Sequence, residues 1–167
     1  MLHLRQVQVA RECALTLPSS GPAYGGPLKS NVRPHYMPQH FPITATSFTR
    51  EEWGWLVLLG SIEAMDEQPY LMMQLAHEFS EDDVRLGQDR PYIEINNQGW
   101  SWYGHVVKLE LQRDCVSVQM DQEAQQRMGN DGKFTFSFSL THEAFEELKT
   151  VLARIFEGCT YYAPRAA

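Results

Sequence analysis

The chain has 167 residues, 43% of them apolar, which is enough to bury one core and fits a single domain. Fourteen basic residues against twenty-one acidic ones leave a net charge of −7. Bulk charge therefore does not draw the chain to nucleic acid or anionic lipid, whose phosphates are held by Lys and Arg; a basic protein is the better electrostatic match. The cysteines Cys13, Cys115 and Cys159 are odd in number and widely spaced, with no CxxC pair. They argue against a disulfide scaffold and a zinc site, and fit a reducing compartment.

Residues 1–42 differ from the rest of the chain. Gly21-Pro22, Gly25-Gly26-Pro27, Pro34, Pro38 and Pro42 punctuate them, and neither helix nor strand periodicity is present. Through Tyr36, four basic residues stand against Glu12 alone; from Met37 onward ten basic residues face twenty acidic ones. Such a break marks a flexible extension, or an upstream stretch ahead of a start at Met37. Arg5, Arg11 and Glu12 interrupt any leader-like apolar run, and the longest such run, Trp55 to Leu59, is far below the ~20 residues that span a bilayer. A soluble, cytoplasmic protein is the expectation.

The ordered part is expected over residues 43–160, with a short tail at 161–167. Ile43 to Phe48 is a strand candidate. Trp53 to Gly60 is the next, with Trp53, Trp55, Val57 and Leu59 on one face and Leu56 and Leu58 on the other, as in a central strand. Tyr70 to His77 gives a third strand after the loop at 66–69, with a helix as the alternative because Leu and Met favour helices. Glu81-Asp82-Asp83 make an acidic loop or a first helical turn. Tyr92 to Asn96 alternates, with Ile93 and Ile95 inward and Tyr92, Glu94 and Asn96 outward. Val107, Leu109 and Leu111 define a strand that turns at Arg113-Asp114 and returns through Val116, Val118 and Met120 as a hairpin. Gln122 to Met128 is a short helix closed by Gly129. Phe134, Phe136, Phe138 and Leu140 alternate as a strand. Thr141 then caps a helix whose Phe145, Leu148, Val151, Leu152, Ile155 and Phe156 form one apolar stripe. Strands that succeed one another, rather than alternate with helices, predict an α+β fold: a mainly antiparallel β-sheet with one long C-terminal helix packed on one face.

The chemistry-bearing motifs are few. GxSxG, HExxH and GxGxxG do not occur, and the glycines of GPAYGGPLK lack the Walker spacing. None of the six histidines pairs at metal-ligand spacing with another His or Cys. His142-Glu143 reads as a helix start, where a carboxylate meets the helix dipole. The acidic run at 81–83 lacks the spaced ligands of a calcium loop and reads as solvated. Glu94 and Glu110 satisfy a glycosidase pair only as any two outward carboxylates would. No catalytic residue, metal or cofactor is expected.

The remaining anomaly is NNQGWSWYG, from Asn96 to Gly104, which places two tryptophans and a tyrosine among turn residues. Trp100 and Trp102 stand at i and i+2, so in extended chain both rings leave the same face. They could plug the core, or form a protein anchor, a sugar platform or a base-stacking surface.

YLMMQ from Tyr70, LGQDRPYIEINNQGWSWYGHV from Leu86, LELQRDCVSVQM from Leu109 and the helix ending in RIFEGC resemble immunity protein family 10 of bacterial polymorphic toxin systems. The distinctive order is Y-x-E-x-x-x-Q-G-W-x-x-Y-G, then the Arg-Asp hairpin, then strand and helix. The resemblance spans roughly residues 41–159, and residues 1–36 have no counterpart in it. It implies an α+β fold without enzymatic activity and a cognate toxin protein, encoded nearby, as partner; the charge balance and the lack of a long apolar run already argue against a nucleic-acid or membrane partner. The partner-binding face expected from the clustered polar and aromatic residues is Glu94, Asn96, Gln98, Trp100, Trp102 and Tyr103. The alternatives are a carbohydrate- or ligand-binding module built on Trp100 and Trp102, a small hydrolase using Glu94 or Asp114, and a stabilising subunit of a larger assembly.

Overall fold

The computed structural model describes residues 40–60 and 69–164, the side chains of Asn97 and Gln98 excepted. The proposed extension through residue 39, most of the 66–69 loop and the last three residues of the tail lie outside the described residues.

The chain folds into two five-stranded sheets. In the first, β2 (Thr46–Arg50), β3 (Gly54–Leu59), β4 (Leu71–Ala76), β5 (Tyr92–Ile95) and β6 (Asn97–Tyr103) lie in sequence order, each antiparallel to the next. The register aligns Phe48, Val57, Met73, Ile93 and Trp102 in one row across all five strands. That row carries the apolar alternation read from the sequence, and it faces the core. In the second sheet the order is β1 (His40–Pro42), β9 (Lys133–Ser137), β8 (Cys115–Met120), β7 (Val106–Leu111) and β10 (Tyr162–Pro164). The three central strands form an antiparallel meander, and β1 and β10 add to its two edges in parallel. Here Phe41, Phe136, Val116 and Leu111 make the equivalent inward row.

Helix α1 (Glu81–Arg85) lies between β4 and β5, α2 (Gln122–Met128) between β8 and β9, and α3 (His142–Ile155) after β9. Helix α3 buries Phe145, Leu148, Val151, Leu152 and Ile155, as its 3.6-residue spacing predicts, and packs on β2, β3 and β4. These side chains and the inward rows of both sheets form one continuous core. Each fully buried Leu or Phe contributes roughly 1.5–3 kcal/mol relative to exposure, so the core rather than any single contact holds the two sheets together.

The α+β class, the mostly antiparallel pairing and the C-terminal helix are as the sequence predicts; the strands divide into two sheets where one was expected. The division falls at Gly104 and His105, both at positive φ (81° and 60°), which carry the chain from β6 into β7. The corner is fastened by Asp121: its N–H donates to the His105 carbonyl at 2.8 Å and its carboxylate meets His105 Nδ1 at 2.8 Å. Three further differences are local. The register of β7 shifts between Val106 and Lys108, so Val106 is buried and Val107, expected inward, is 49% exposed. The first strand of the first sheet begins at Thr46, while Ile43 extends the pairing of β1 by donating to the Ser137 carbonyl at 2.8 Å. His40–Pro42 and Tyr162–Pro164, assigned from sequence to the extension and the tail, form the edge strands β1 and β10.

Candidate partner-binding face

Strand alternation puts Glu94 on the face of the first sheet that points away from the core, between the inward Ile93 and Ile95 and opposite Met72 and Ser101. The direction agrees with the sequence reading, but the exposure does not. Glu94 is 2% exposed. The Tyr70 hydroxyl donates to its Oε1 at 2.5 Å and the Tyr92 hydroxyl to its Oε2 at 2.5 Å. Both carboxyl oxygens thus have donors, which is the condition for keeping such a group out of water. Burial and the neighbouring Glu94 hold the Tyr92 phenol above its ordinary range. Glu94 is therefore a buried post within the sheet, its carboxylate held from both sides by tyrosine hydroxyls.

Asn96 has an equally local role. It sits at positive φ, 62°, where β5 turns tightly into β6 and the register shifts. Asn tolerates this conformation better than most residues. Its N–H donates to the Tyr70 carbonyl at 3.1 Å, and its Oδ1 accepts from the Tyr70 N–H at 3.0 Å. Tyr70 thus binds the turn through its backbone and Glu94 through its hydroxyl, a double role that its sequence context does not reveal.

The two tryptophans separate. Trp102 pairs with Ile93, is 6% exposed and belongs to the core. Trp100 is half-buried and packs against that core from its margin. A platform of two open rings is therefore not formed, and the sugar-stacking alternative loses one of its two surfaces. Gly99 is exposed beside Trp100, and β6 is the last strand of its sheet. Tyr103, on the outward face, sets its ring 5.1 Å from that of Tyr92. Its phenol is raised by burial and by the charge of Asp83. The face predicted from sequence thus resolves into a buried support, Glu94 and Trp102, a turn lock, Asn96, and a margin of Trp100 and Tyr103; the Gln98 side chain lies outside the described residues.

The hydrolase alternative fares no better at its named residues. Glu94 and Glu110 stand on different sheets, Glu110 paired with Lys108 at 2.9 Å, and Asp114 occupies the exposed β7–β8 turn. An open groove of about 420 Å³ runs between α3 and β2–β3, lined by Phe48, Arg50, Trp55, Glu146, Glu147, Thr150 and Val151. Its Arg50 lies over the Trp55 ring at 5.6 Å and its Glu146 pairs with Lys149 at 3.2 Å, so neither charge is aimed into the groove alone. Among the described residues no group of three or more His, Cys, Asp or Glu could hold a metal ion, and no helix is long and apolar enough to cross a membrane.

Residues 43–146, from the approach to β2 into the first turns of α3, match the family model described as Immunity protein 10. The chain belongs to the immunity protein 10 family. It matches no curated protein and no solved structure. The matched span contains all of the first sheet, the central meander of the second and the corner joining them, so the family's pattern covers the elements that position the β5–β6 face. It also contains α1 and its flanking loop, a feature of this immunity protein that the sequence reading passed over as a solvated acidic turn.

Proposed function

We propose that this immunity protein binds and neutralises a cognate toxin produced from a neighbouring gene, by covering the toxin's active site or by locking it in an inactive form. Membership of the immunity protein 10 family carries the reading. Inhibition of this kind works by occupancy and makes no bond of its own. Free toxin must be negligible, which requires a Kd of about 1 nM or below, roughly −12 kcal/mol. An interface of about 1,600 Å² supplies that when a few well-buried anchors sit at its centre.

The β6 margin suits such a contact. Trp100 and Tyr103 offer large rings already held by the core and by Tyr92, so little freedom is lost when a partner covers them. Asn97, Gln98 and Gly99 add backbone groups on the last strand of the sheet. Glu94, Asn96 and Trp102 support this margin from within. The chain's net charge of −7 speeds encounter with a basic toxin. The neutralising activity acts where the toxin would otherwise harm its producer, in the cytoplasm. The test is capture of the neighbouring toxin by wild type and by Trp100→Ala and Tyr103→Ala. Loss of capture by folded variants is expected; full capture by both removes the β6 margin from the interface.

A further inference from the structure

Among the described residues, four large apolar side chains stand exposed, and three of them fall within residues 79–86: Phe79 at 38%, Val84 at 55% and Leu86 at 57%. They flank and occupy α1, a helix with no buried residue. A single helical turn is not stable by itself in water, and this one is held by its own ends. Ser80 and Asp83 exchange hydrogen bonds as a capping box, the Asp83 N–H to Ser80 Oγ at 3.2 Å and the Ser80 N–H to Asp83 Oδ2 at 2.8 Å. The Gln88 N–H closes the far end on the Asp83 carbonyl at 2.8 Å, and Gly87 at φ 68° lets the chain turn there. The fold thus fixes a turn whose apolar side chains lie outside the core cluster. Phe79 and Val84 occupy the positions that flank a capped N-terminus on its apolar side.

The surroundings are mainly acidic. Glu78, Glu81, Asp82, Asp83 and Asp89 face only Arg85 and Arg90 in the same connection, and Arg85 is engaged with Asp82 at 2.9 Å. Apolar anchors in an acidic rim fit a basic surface with an apolar depression. A second copy of this chain fits poorly, because a two-fold contact would set the acidic rim against itself. We propose that residues 78–89 form a pre-formed docking knob for the basic surface of the toxin, in addition to the β6 margin. This inference rests on the toxin-neutralising reading and names a second part of the same interface.

The experiment uses the full chain and the purified, catalytically inactivated product of the neighbouring toxin gene in a surface-binding assay. The triple variant Phe79→Ser/Val84→Ser/Leu86→Ser should keep the wild-type circular dichroism and a cooperative melt with at most a small fall in melting temperature, since Val84 and Leu86 are more than half exposed and Phe79 is 38% exposed. It should dissociate from the toxin at least about 30-fold faster, the scale of a lost hot spot. Glu78→Lys/Glu81→Lys should slow association and flatten its dependence on salt, leaving dissociation nearly unchanged. If wild type binds the toxin and the triple variant matches it in both rates, the knob is overturned while the neutralising reading stands. If wild type itself does not bind, that reading falls and the knob with it. If wild type is a dimer in gel filtration and the triple variant a monomer, the occupant is a second copy and the assignment to the toxin is wrong.

Discussion

Tyr70 shows how much one side chain can fasten. Its backbone closes the β5–β6 turn on Asn96, and its hydroxyl reaches Glu94 at 2.5 Å. Removing that hydroxyl leaves one buried carboxyl oxygen without this donor, so Tyr70→Phe should lower unfolding free energy by about 1–3 kcal/mol. Urea denaturation measures it, and toxin affinity should stay the same, because Glu94 serves the sheet rather than the partner; unchanged stability would contradict the burial of this pair. The tyrosines also set a pH limit. Burial raises the phenols of Tyr92, Tyr103, Tyr161 and Tyr162, the last to about 12. A raised folded-state pKa stabilises the fold fully below the unfolded phenol value near 10, and that stability is lost as pH climbs from there through the folded values. Melting temperature should therefore hold up to about pH 10 and fall steadily beyond it, with phenolate absorbance appearing late in the native protein; a flat profile to pH 12 contradicts the shifts. Alternation in YIEIN was legible and gave Glu94 its correct face. Its burial was not, because only one of its two donors, Tyr92, lies in that stretch, and the other, Tyr70, stands 24 residues earlier in the chain.

At the level of elements, the decisive piece is the β6–β7 corner, where one continuous strand-rich stretch divides between two sheets. Asp121 fastens it from three sides: its N–H holds the His105 carbonyl, and its carboxylate meets the His105 ring and accepts from the Ala124 N–H at 3.0 Å as the cap of α2. Burial works to raise this carboxyl, but the Ala124 N–H and His105 outweigh it and hold it below its ordinary value. Asp121→Ala should thus cost about 1–2 kcal/mol, the upper range for a helix cap, because it also releases the corner. Guanidinium denaturation checks it, and a loss below a few tenths would mean the corner stands without Asp121. Helices and hairpins were readable here because their signals are local: Thr141 before the α3 stripe, Arg113-Asp114 between two alternating runs, Gly129 after α2. The corner was not readable, since Gly104-His105 resembles any short turn and sheet membership is decided by long-range pairing. Val107 was misplaced for a related reason: a bulge inserts one residue and reverses every inference from alternation on one side of it.

For the whole molecule, two sheets and one helix share a core that explains nearly every buried apolar side chain, and what is left over is informative. Among the described residues, and apart from Val107 beside its bulge, the surplus is a half-buried Trp100, an outward Tyr103 and the exposed Phe79, Val84 and Leu86. The sequence drew attention to the first two through NNQGWSWYG; the others were hidden within an acidic stretch whose charges suggested a solvated turn. On the function proposed above, this immunity protein inhibits by lying against its toxin, and occupancy has a signature distinct from turnover. The neighbouring toxin should be titrated with this protein while its activity and its intact mass are followed. Inhibition should rise linearly to completion at a fixed molar ratio, independent of incubation time, with the toxin's mass unchanged. Inactivation that deepens with time at substoichiometric protein, or a change in the toxin's mass, would show that the protein acts by chemistry of its own.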